Sequence, residues 1–210
     1  MMTADAEFWD EIAEKYAAKP VENVPAFERK KEITKALLSR EQTILEVGCG
    51  TGTLALELAP HVAHIHAVDI SGEMLGIARR KADAAGVENV TFHQGTLDEP
   101  TPFEAEQFDG ACAYSILHLV DDRIGTLQTI FEMLKPGGFF ISSTVCLGGS
   151  LVPYWAILPV MKWFGKAPPV HIIGRDQMER EIREAGFVNV EQREVGAGTE
   201  TAFIVAQKPR

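Results

Sequence analysis

Cysteine and basic residues are scarce in this chain of 210 residues. The three cysteines, Cys49, Cys112 and Cys146, form no CxxC pair, which argues against a zinc site and against a disulfide framework and suits a reducing, cytoplasmic location. Lys and Arg number 20 against 30 Asp and Glu, a formal net charge of −10. Because such a field repels a phosphate backbone, we expect no nucleic-acid partner. No metal-ligand spacing is present, and we expect no metal.

Long apolar runs are also missing. No segment reaches the roughly 20 apolar residues of a membrane span. The acidic, polar start has the character of neither a secretory signal nor a transit peptide. We therefore expect a cytoplasmic protein without stable membrane insertion. The length leaves room for a single domain, 1–210, with an elaboration rather than a second domain.

Short apolar runs alternate with amphipathic segments along the chain. This alternation predicts an α/β fold with a doubly wound, mostly parallel, Rossmann-like sheet of seven strands. The last two strands have no helix between them and are expected to form a C-terminal antiparallel hairpin. A capping box of Asp176 and Glu179 is expected to open the last helix. The predicted strands are 43–47, 65–69, 90–93, 108–114, 139–145, 187–194 and 201–207, and the predicted helices 8–16, 27–38, 54–59, 72–85, 121–134 and 177–185.

A glycine-rich loop joins the first strand to the helix after it. Gly48, Gly50 and Gly52 allow a sharp turn and a close approach of a ligand to the main chain. A dinucleotide fingerprint would need a further glycine at position 53, where the chain has Thr53. Glu46, at the end of the strand, would repel a pyrophosphate but attract an ammonium or a sulfonium. The loop therefore favours a cationic ligand.

Asp69 ends the second strand, where two carboxylate oxygens can hold a ribose diol. That position serves a nicotinamide cofactor equally well. Asp69 alone therefore does not discriminate between the two ligand classes.

Four motifs follow one another along the chain: LEVGCGTG at 45–52, VDIS at 68–71, FD at 108–109 and LKPGG at 134–138. In this order they resemble the motifs of the class I S-adenosylmethionine-dependent methyltransferases. The resemblance covers about residues 40–145, and the terminal hairpin is similar to the last strand pair of that family. It implies S-adenosylmethionine as the cofactor.

The resemblance also implies which residues meet the cofactor. Asp69 would hold the ribose hydroxyls, and Ile70 and Met74 would lie against the adenine. Tyr16 belongs to an N-terminal helical segment, 1–40, that resembles a lid over the cofactor. The implied cofactor-binding set is Tyr16, Glu46, Gly48, Gly50, Gly52, Asp69, Ile70, Met74, Thr96, Leu97 and Ser115.

His118 follows the fourth strand and is the candidate general base, a role needed only if the acceptor starts protonated. An apolar insert, 147–174, is expected to form a second lid over the acceptor, with Tyr154, Trp155 and His171 as substrate-binding residues. A packed flap, an oligomer contact or a shallow membrane contact are the alternatives for this insert.

The sequence thus predicts a methyltransferase that moves a methyl group from S-adenosylmethionine to a small, partly apolar acceptor by in-line displacement. Two alternatives stay open at this point. One is an NAD(P)-dependent oxidoreductase, and the other is a non-catalytic S-adenosylmethionine-binding protein on the same fold.

Overall fold

The computed structural model describes residues 4–97, 103–149, 152, 154 and 170–210. These residues form a seven-stranded sheet with buried apolar clusters on both of its faces. The predicted α/β fold is confirmed.

The strands lie close to their predicted positions. Their order in the sheet is β3-β2-β1-β4-β5-β7-β6 once they are numbered along the chain. The first five pair in parallel, whereas β7 runs antiparallel to both β5 and β6, which confirms the terminal hairpin. The strands are β1 (Thr43–Val47), β2 (His64–Asp69), β3 (Val90–Gln94), β4 (Phe108–Tyr114), β5 (Leu134–Val145), β6 (Val188–Gln192) and β7 (Thr201–Gln207).

Side-chain caps explain where two of the helices begin. The hydroxyl oxygen of Ser71 accepts the backbone N–H of Met74, and a carboxylate oxygen of Asp122 accepts that of Gly125. The helices are α1 (Ala4–Ala17), α2 (Val24–Lys35), α3 (Thr53–Leu58), α4 (Gly72–Ala85), α5 (Arg123–Met133) and α6 (Arg175–Glu184).

The centre of the sheet is its topological switch point. β1 lies between β2 and β4, so that Val47 pairs with Val68 on one side and with Ala113 on the other. The chain winds away from β1 in one direction through β2 and β3 and in the other through β4 and β5. Such a reversal leaves a crevice at the carboxyl ends of the central strands, where doubly wound sheets bind ligands.

Successive residues of a strand point to opposite faces of the sheet and therefore belong to different apolar clusters. Phe140 belongs to the cluster that packs against α5 and α6, with Leu127 and Ile182. The next residue, Ile141, belongs to the cluster on the opposite face, together with Leu54 of α3. Both of these clusters contain fully buried side chains, so both faces of the central strands are covered.

β5 begins five residues earlier than predicted. Leu134 ends α5 in an extended conformation, with φ −78° and ψ 139°, and pairs directly with Phe108 of β4. The register then shifts before Gly110 pairs with Phe139. The Pro-Gly-Gly segment that was expected to separate the helix from the strand is therefore part of the strand.

The predicted capping box of α6 is wrong. α6 begins at Arg175 with Gly174 as its N-cap, and no side chain caps this end. Asp176 lies inside the first turn instead. Glu179 binds Arg183 one turn later and accepts a hydrogen bond from Gln192 of β6, so these partners outcompete the helix end.

The N-terminal segment holds two helices, as predicted, but α2 starts earlier. Asn23 caps it by accepting the N–H of Ala26, and Pro25 lies in the first turn, where a missing N–H breaks no helical bond. Most of the insert 147–174 lies outside the described residues, so its role as a lid stays a prediction. In the part of the chain that the structure describes, no helix has the length and apolarity needed to cross a membrane.

We expect Gly110→Ala to lower the free energy of unfolding by about 1–3 kcal/mol, because overpacking a close-packed core forces strain. A Cβ at this position would lie 2.1 Å from the ring carbon Cζ of Phe139 on the neighbouring strand. Urea denaturation measures the effect. In a Phe139→Leu background the same substitution should lower the stability less; an equal loss in both backgrounds would mean that the ring contact is not the cause.

Candidate active site

A cavity of about 360 Å³ opens at the switch point of the sheet. Its size lies within the usual range for small-molecule sites. Every predicted cofactor residue except Glu46 and Gly52 lies on its wall. The lining residues are Asp5, Trp9, Tyr16, Val47, Gly48, Gly50, Val68, Asp69, Ile70, Met74, Gly95, Thr96, Leu97, Tyr114, Ser115, Ile116, Leu119, Val120, Asp121 and Thr126.

The carboxylate of Asp69 joins two loops at the floor of this cavity. Its Oδ2 accepts the N–H of Gly50, at 2.7 Å, and its Oδ1 accepts the N–H of Ser71, at 2.9 Å. Burial raises the pKa of Asp69, and these two N–H groups oppose the rise. A carboxylate offers about four lone-pair positions, so Asp69 can still accept a hydrogen bond from a ligand's hydroxyl group.

The glycine loop is open toward the ligand at one position and packed at another. A Cβ on Gly50 would meet no heavy atom within 4 Å, and its φ of +52° is one that glycine adopts freely. Gly52, by contrast, sits against Ala78 of α4 and Phe92 of β3, and an added Cβ would lie 2.9 Å from the Cβ of Ala78. Gly50 thus borders the cavity, while Gly52 lies on neither cavity wall and brings α3 close to α4.

Glu46 is almost completely buried, with 3% of its surface exposed. Burial, with the nearby Asp69, raises its pKa to about 8, and a hydrogen bond from the backbone of Ala55 acts in the opposite direction. Its Oε2 has no hydrogen-bond partner among the described residues. At neutral pH the side chain is therefore mostly a neutral acid, and its unpartnered oxygen can accept a hydrogen bond from a ligand.

Helix α1 closes over the first cavity and is held there by Asp10. The Oδ1 of Asp10 accepts the hydroxyl of Ser71, at 2.6 Å, and the N–H of Glu73, at 3.1 Å. An apolar contact adds to this anchor, since Ala13 packs against Met74 of α4. The same Ser71 thus connects the helix above the cavity to Asp69 below it.

A second cavity, of about 530 Å³, adjoins the first. The two share Tyr16, Gly48, Gly50, Tyr114 and Ser115. Ser115 has a φ of +57°, an unusual conformation for a residue with a side chain, and it donates its N–H to Ser143 at 2.7 Å.

The sequence analysis missed this second cavity. It is covered by the link between α1 and α2, which contains Pro20 and carries no motif. Its described lining is Tyr16, Ala17, Lys19, Pro20, Val21, Glu22, Asn23, Ala26, Phe27, Lys30, Glu46, Gly48, Cys49, Gly50, Thr51, Thr53, Leu54, Tyr114, Ser115, Ser143, Ala197 and Thr201.

Of the predicted substrate-binding residues, Trp155 lies outside the described residues, and neither Tyr154 nor His171 is among the described residues that line the two cavities. Tyr154 is half-buried, and its backbone N–H donates to the carbonyl oxygen of Val152. His171 reaches the first cavity indirectly, because its Nε2 hydrogen-bonds with the lining residue Asp121 at 3.0 Å. The assignment of these three residues to an acceptor stays a prediction.

His118 is buried, and it is absent from both cavity linings. Burial, with the nearby His171, lowers its pKa to about 4, so the imidazole is neutral at pH 7. Its Nδ1 has no hydrogen-bond partner among the residues described. A base of such low pKa holds a proton weakly, and its catalytic role stays a prediction.

Comparison with known proteins identifies the family. A family model described as a methyltransferase domain matches residues 44–138. The demethylmenaquinone methyltransferase of Symbiobacterium thermophilum is 32% identical to this chain over 97% of its length and 92% of that protein. The chain belongs to the class I S-adenosylmethionine-dependent methyltransferases. S-adenosylmethionine is therefore the cofactor of this methyltransferase, as the sequence motifs implied.

Two further likenesses agree with this assignment. The ubiquinone biosynthesis O-methyltransferase of Aeromonas salmonicida is 34% identical to this chain. The aligned part covers 49% of this chain and 42% of that protein. The phosphoethanolamine N-methyltransferase 2 of Haemonchus contortus, solved with S-adenosylmethionine, superposes with a TM-score of 0.80 at 17% identity, over 99% of this chain and 60% of that one. This last similarity shows a shared fold.

The residues present fit the cofactor. The open Gly50 leaves room where any other side chain would intrude, and Asp69 keeps free lone pairs at the floor. The buried, unpartnered oxygen of Glu46 provides an acceptor for a cationic group close to the glycine loop.

The pH dependence of stability tests the burial of Glu46. Between pH 4.5 and about 8 the folded protein keeps a proton on Glu46 that the unfolded chain has released. The free energy of unfolding therefore falls with rising pH, by up to about 1.4 kcal/mol per pH unit from this group. Glu46→Gln cannot ionise at this position. In urea denaturation, its free energy of unfolding relative to that of the wild type should therefore rise from pH 5 to 7.5. The exposed Glu184→Gln is the control, and parallel curves for Glu46→Gln would contradict the assignment.

Proposed function

We propose that this methyltransferase binds its cofactor in the first cavity and a small, partly apolar acceptor in the second. The observation that carries the proposal is the shared wall of Gly48, Gly50 and Ser115. Because the two cavities adjoin at these residues, a ligand in each can be held with its reacting atom in line with that of the other. Orientation of this kind supplies much of the acceleration in a displacement between two bound molecules.

The charges of the first cavity support the cofactor's place there. Its described lining contains three acids, Asp5, Asp69 and Asp121, and no Lys or Arg. Such a wall attracts a cationic ligand and repels a pyrophosphate. When bound, S-adenosylmethionine supplies a methyl group that is already activated by the positive charge on its sulfur.

The residues of the chain then bind and orient. Asp69 accepts the ribose hydroxyls with the lone pairs that the two backbone N–H groups leave free. Ile70 and Met74 provide an apolar face for the adenine, and the backbone at Thr96 and Leu97 closes that end of the cavity. Gly48, Gly50 and Ser115, which line both cavities, surround the methionine end, and Glu46 approaches it from the side of the second cavity. Helix α1, with Tyr16, excludes water from above.

The second cavity has the mixed character expected of an acceptor site. Pro20, Val21, Phe27 and Leu54 supply apolar surface. Val21 stays 45% exposed at its edge, which leaves apolar surface for the rest of a larger ligand. One relative is named for demethylmenaquinone and another for ubiquinone biosynthesis, and an aromatic acceptor with an apolar part agrees with both names. The apolar insert around Tyr154, Trp155 and His171 is proposed to complete the enclosure.

Thermal shift and turnover together test the proposal. S-adenosylhomocysteine should raise the melting temperature in proportion to the logarithm of its concentration, and NAD and NADP should not. Methyl transfer to at least one aromatic acceptor should then release S-adenosylhomocysteine. Stabilisation by NAD alone would reject the cofactor assignment. Cofactor binding without turnover across a broad panel of acceptors would point to the non-catalytic alternative.

Asp69→Ala should weaken the binding of S-adenosylhomocysteine by about 1–3 kcal/mol, because it removes hydrogen bonds to a charged acceptor. Isothermal titration calorimetry measures this affinity. Asp83→Ala, on the exposed side of α4, is the matched control and should bind as the wild type does. Unchanged affinity in Asp69→Ala would remove this residue from the cofactor site.

A further inference from the structure

Lys30 differs from Lys19 and Glu22, the charged residues of the second cavity that pair with each other. It lies on α2, lines the cavity and is partly buried. No described residue offers its ammonium group an ion pair or a hydrogen bond. Desolvation by burial lowers the pKa of Lys30, and no nearby carboxylate opposes that effect. An ammonium group is thus held in a half-buried site without a partner from the described part of the chain.

The neighbouring lysines on the same helix are paired. Lys31 lies 2.9 Å from Glu28 and 3.2 Å from Glu57, and Lys35 lies 3.9 Å from Glu57. Arg29 also has no ion pair among the described residues, but it is exposed and does not line the cavity, so Lys30 is the unpaired charge of this helix that borders the cavity.

The other charged groups on the described cavity wall cancel or are neutral. Lys19 and Glu22 form an ion pair at 2.6 Å. Glu46, with its pKa raised to about 8, is mostly uncharged at neutral pH. The second cavity consequently carries a local positive charge, opposite to the acidic first cavity, although the whole chain has a net charge of −10.

The backbone of Lys30 is fixed relative to the wall that the two cavities share. Its carbonyl oxygen accepts a hydrogen bond from the hydroxyl of Thr34, at 2.9 Å, and a longer one from the hydroxyl of Tyr114, at 3.4 Å. The two hydroxyl groups also hydrogen-bond with each other at 2.7 Å. Because Tyr114 lines both cavities, the position of Lys30 is tied to the place where the two ligands meet.

We infer that Lys30 is a specificity-determining residue that selects acceptors bearing an anionic oxygen, such as an aromatic carboxylate or an ionised phenol. This inference rests on the proposed function of the second cavity as the acceptor site. A partly desolvated ammonium group forms a stronger hydrogen bond to an anionic oxygen than to a neutral one. A neutral acceptor of the same shape would leave the charge of Lys30 without a counter-ion.

A matched pair of aromatic ligands tests the inference: 1-hydroxy-2-naphthoate and its neutral amide, 1-hydroxy-2-naphthamide. Each is titrated calorimetrically into the protein saturated with S-adenosylhomocysteine, whose sulfur is neutral and cannot itself attract the anion. The wild type should bind the naphthoate about tenfold more tightly than the amide. Lys30→Met removes the charge but keeps an unbranched side chain only one atom shorter, and it should lose this preference with the affinity for the amide unchanged. Lys35→Met, on the same helix but away from the cavity, should retain it.

The inference is overturned if the wild type binds both ligands equally or does not bind the naphthoate. It is also overturned if Lys30→Met keeps the preference for the anion. Failure of the proposed function is recognised separately, because the affinity of every variant for S-adenosylhomocysteine is measured first. A wild type that does not bind S-adenosylhomocysteine contradicts the proposed function, whereas intact cofactor binding with no anion preference contradicts the role of Lys30 alone.

Discussion

The carboxylate of Asp69 is the constraint on which the ligand-binding edge of the sheet depends. It receives an N–H from the glycine loop after β1 and another from the turn after β2, so the two loops cannot move independently. Ser71 extends the connection upward, because its hydroxyl donates to Asp10 of α1 while its oxygen caps α4. Asp69 thus connects the glycine loop, the turn after β2 and, through Ser71, helix α1, all of which border the first cavity.

The two adjoining cavities differ in charge, and the difference has a physical basis in how each is built. The first is lined by Asp69 at the end of β2, where the switch point of a parallel sheet places it, by Asp121 between β4 and α5, and by Asp5 of α1. The second is closed by a helix and a link that precede the sheet in the chain, and these bring Lys30 to its wall. A donor that carries positive charge and an acceptor that carries negative charge would each find the complementary surface, with low-dielectric protein between them and the solvent.

Local patterns were enough to predict the strands, the glycine loop and the site at Asp69, since all of these follow from short runs of residues. The second cavity depends instead on contacts between distant segments, such as Thr34 of α2 with Tyr114 of β4, which no local pattern records. The neutral state of Glu46 follows from burial on all sides, and the packing role of Gly52 follows from the approach of Ala78. The capping box failed because Glu179 binds Arg183 one turn later in the same helix and Gln192 of β6.

The wall shared by the two cavities has a consequence for how acceptor choice can diverge among related enzymes. A substitution at Tyr114 or Ser115 alters the surroundings of both ligands, and by reciprocity any coupling between the two binding equilibria is felt equally in each direction. The link between α1 and α2, from Lys19 to Asn23, borders the second cavity and not the first. If the second cavity holds the acceptor, as proposed, substitutions confined to that short stretch would change which molecule is methylated while the lining of the first cavity stays the same.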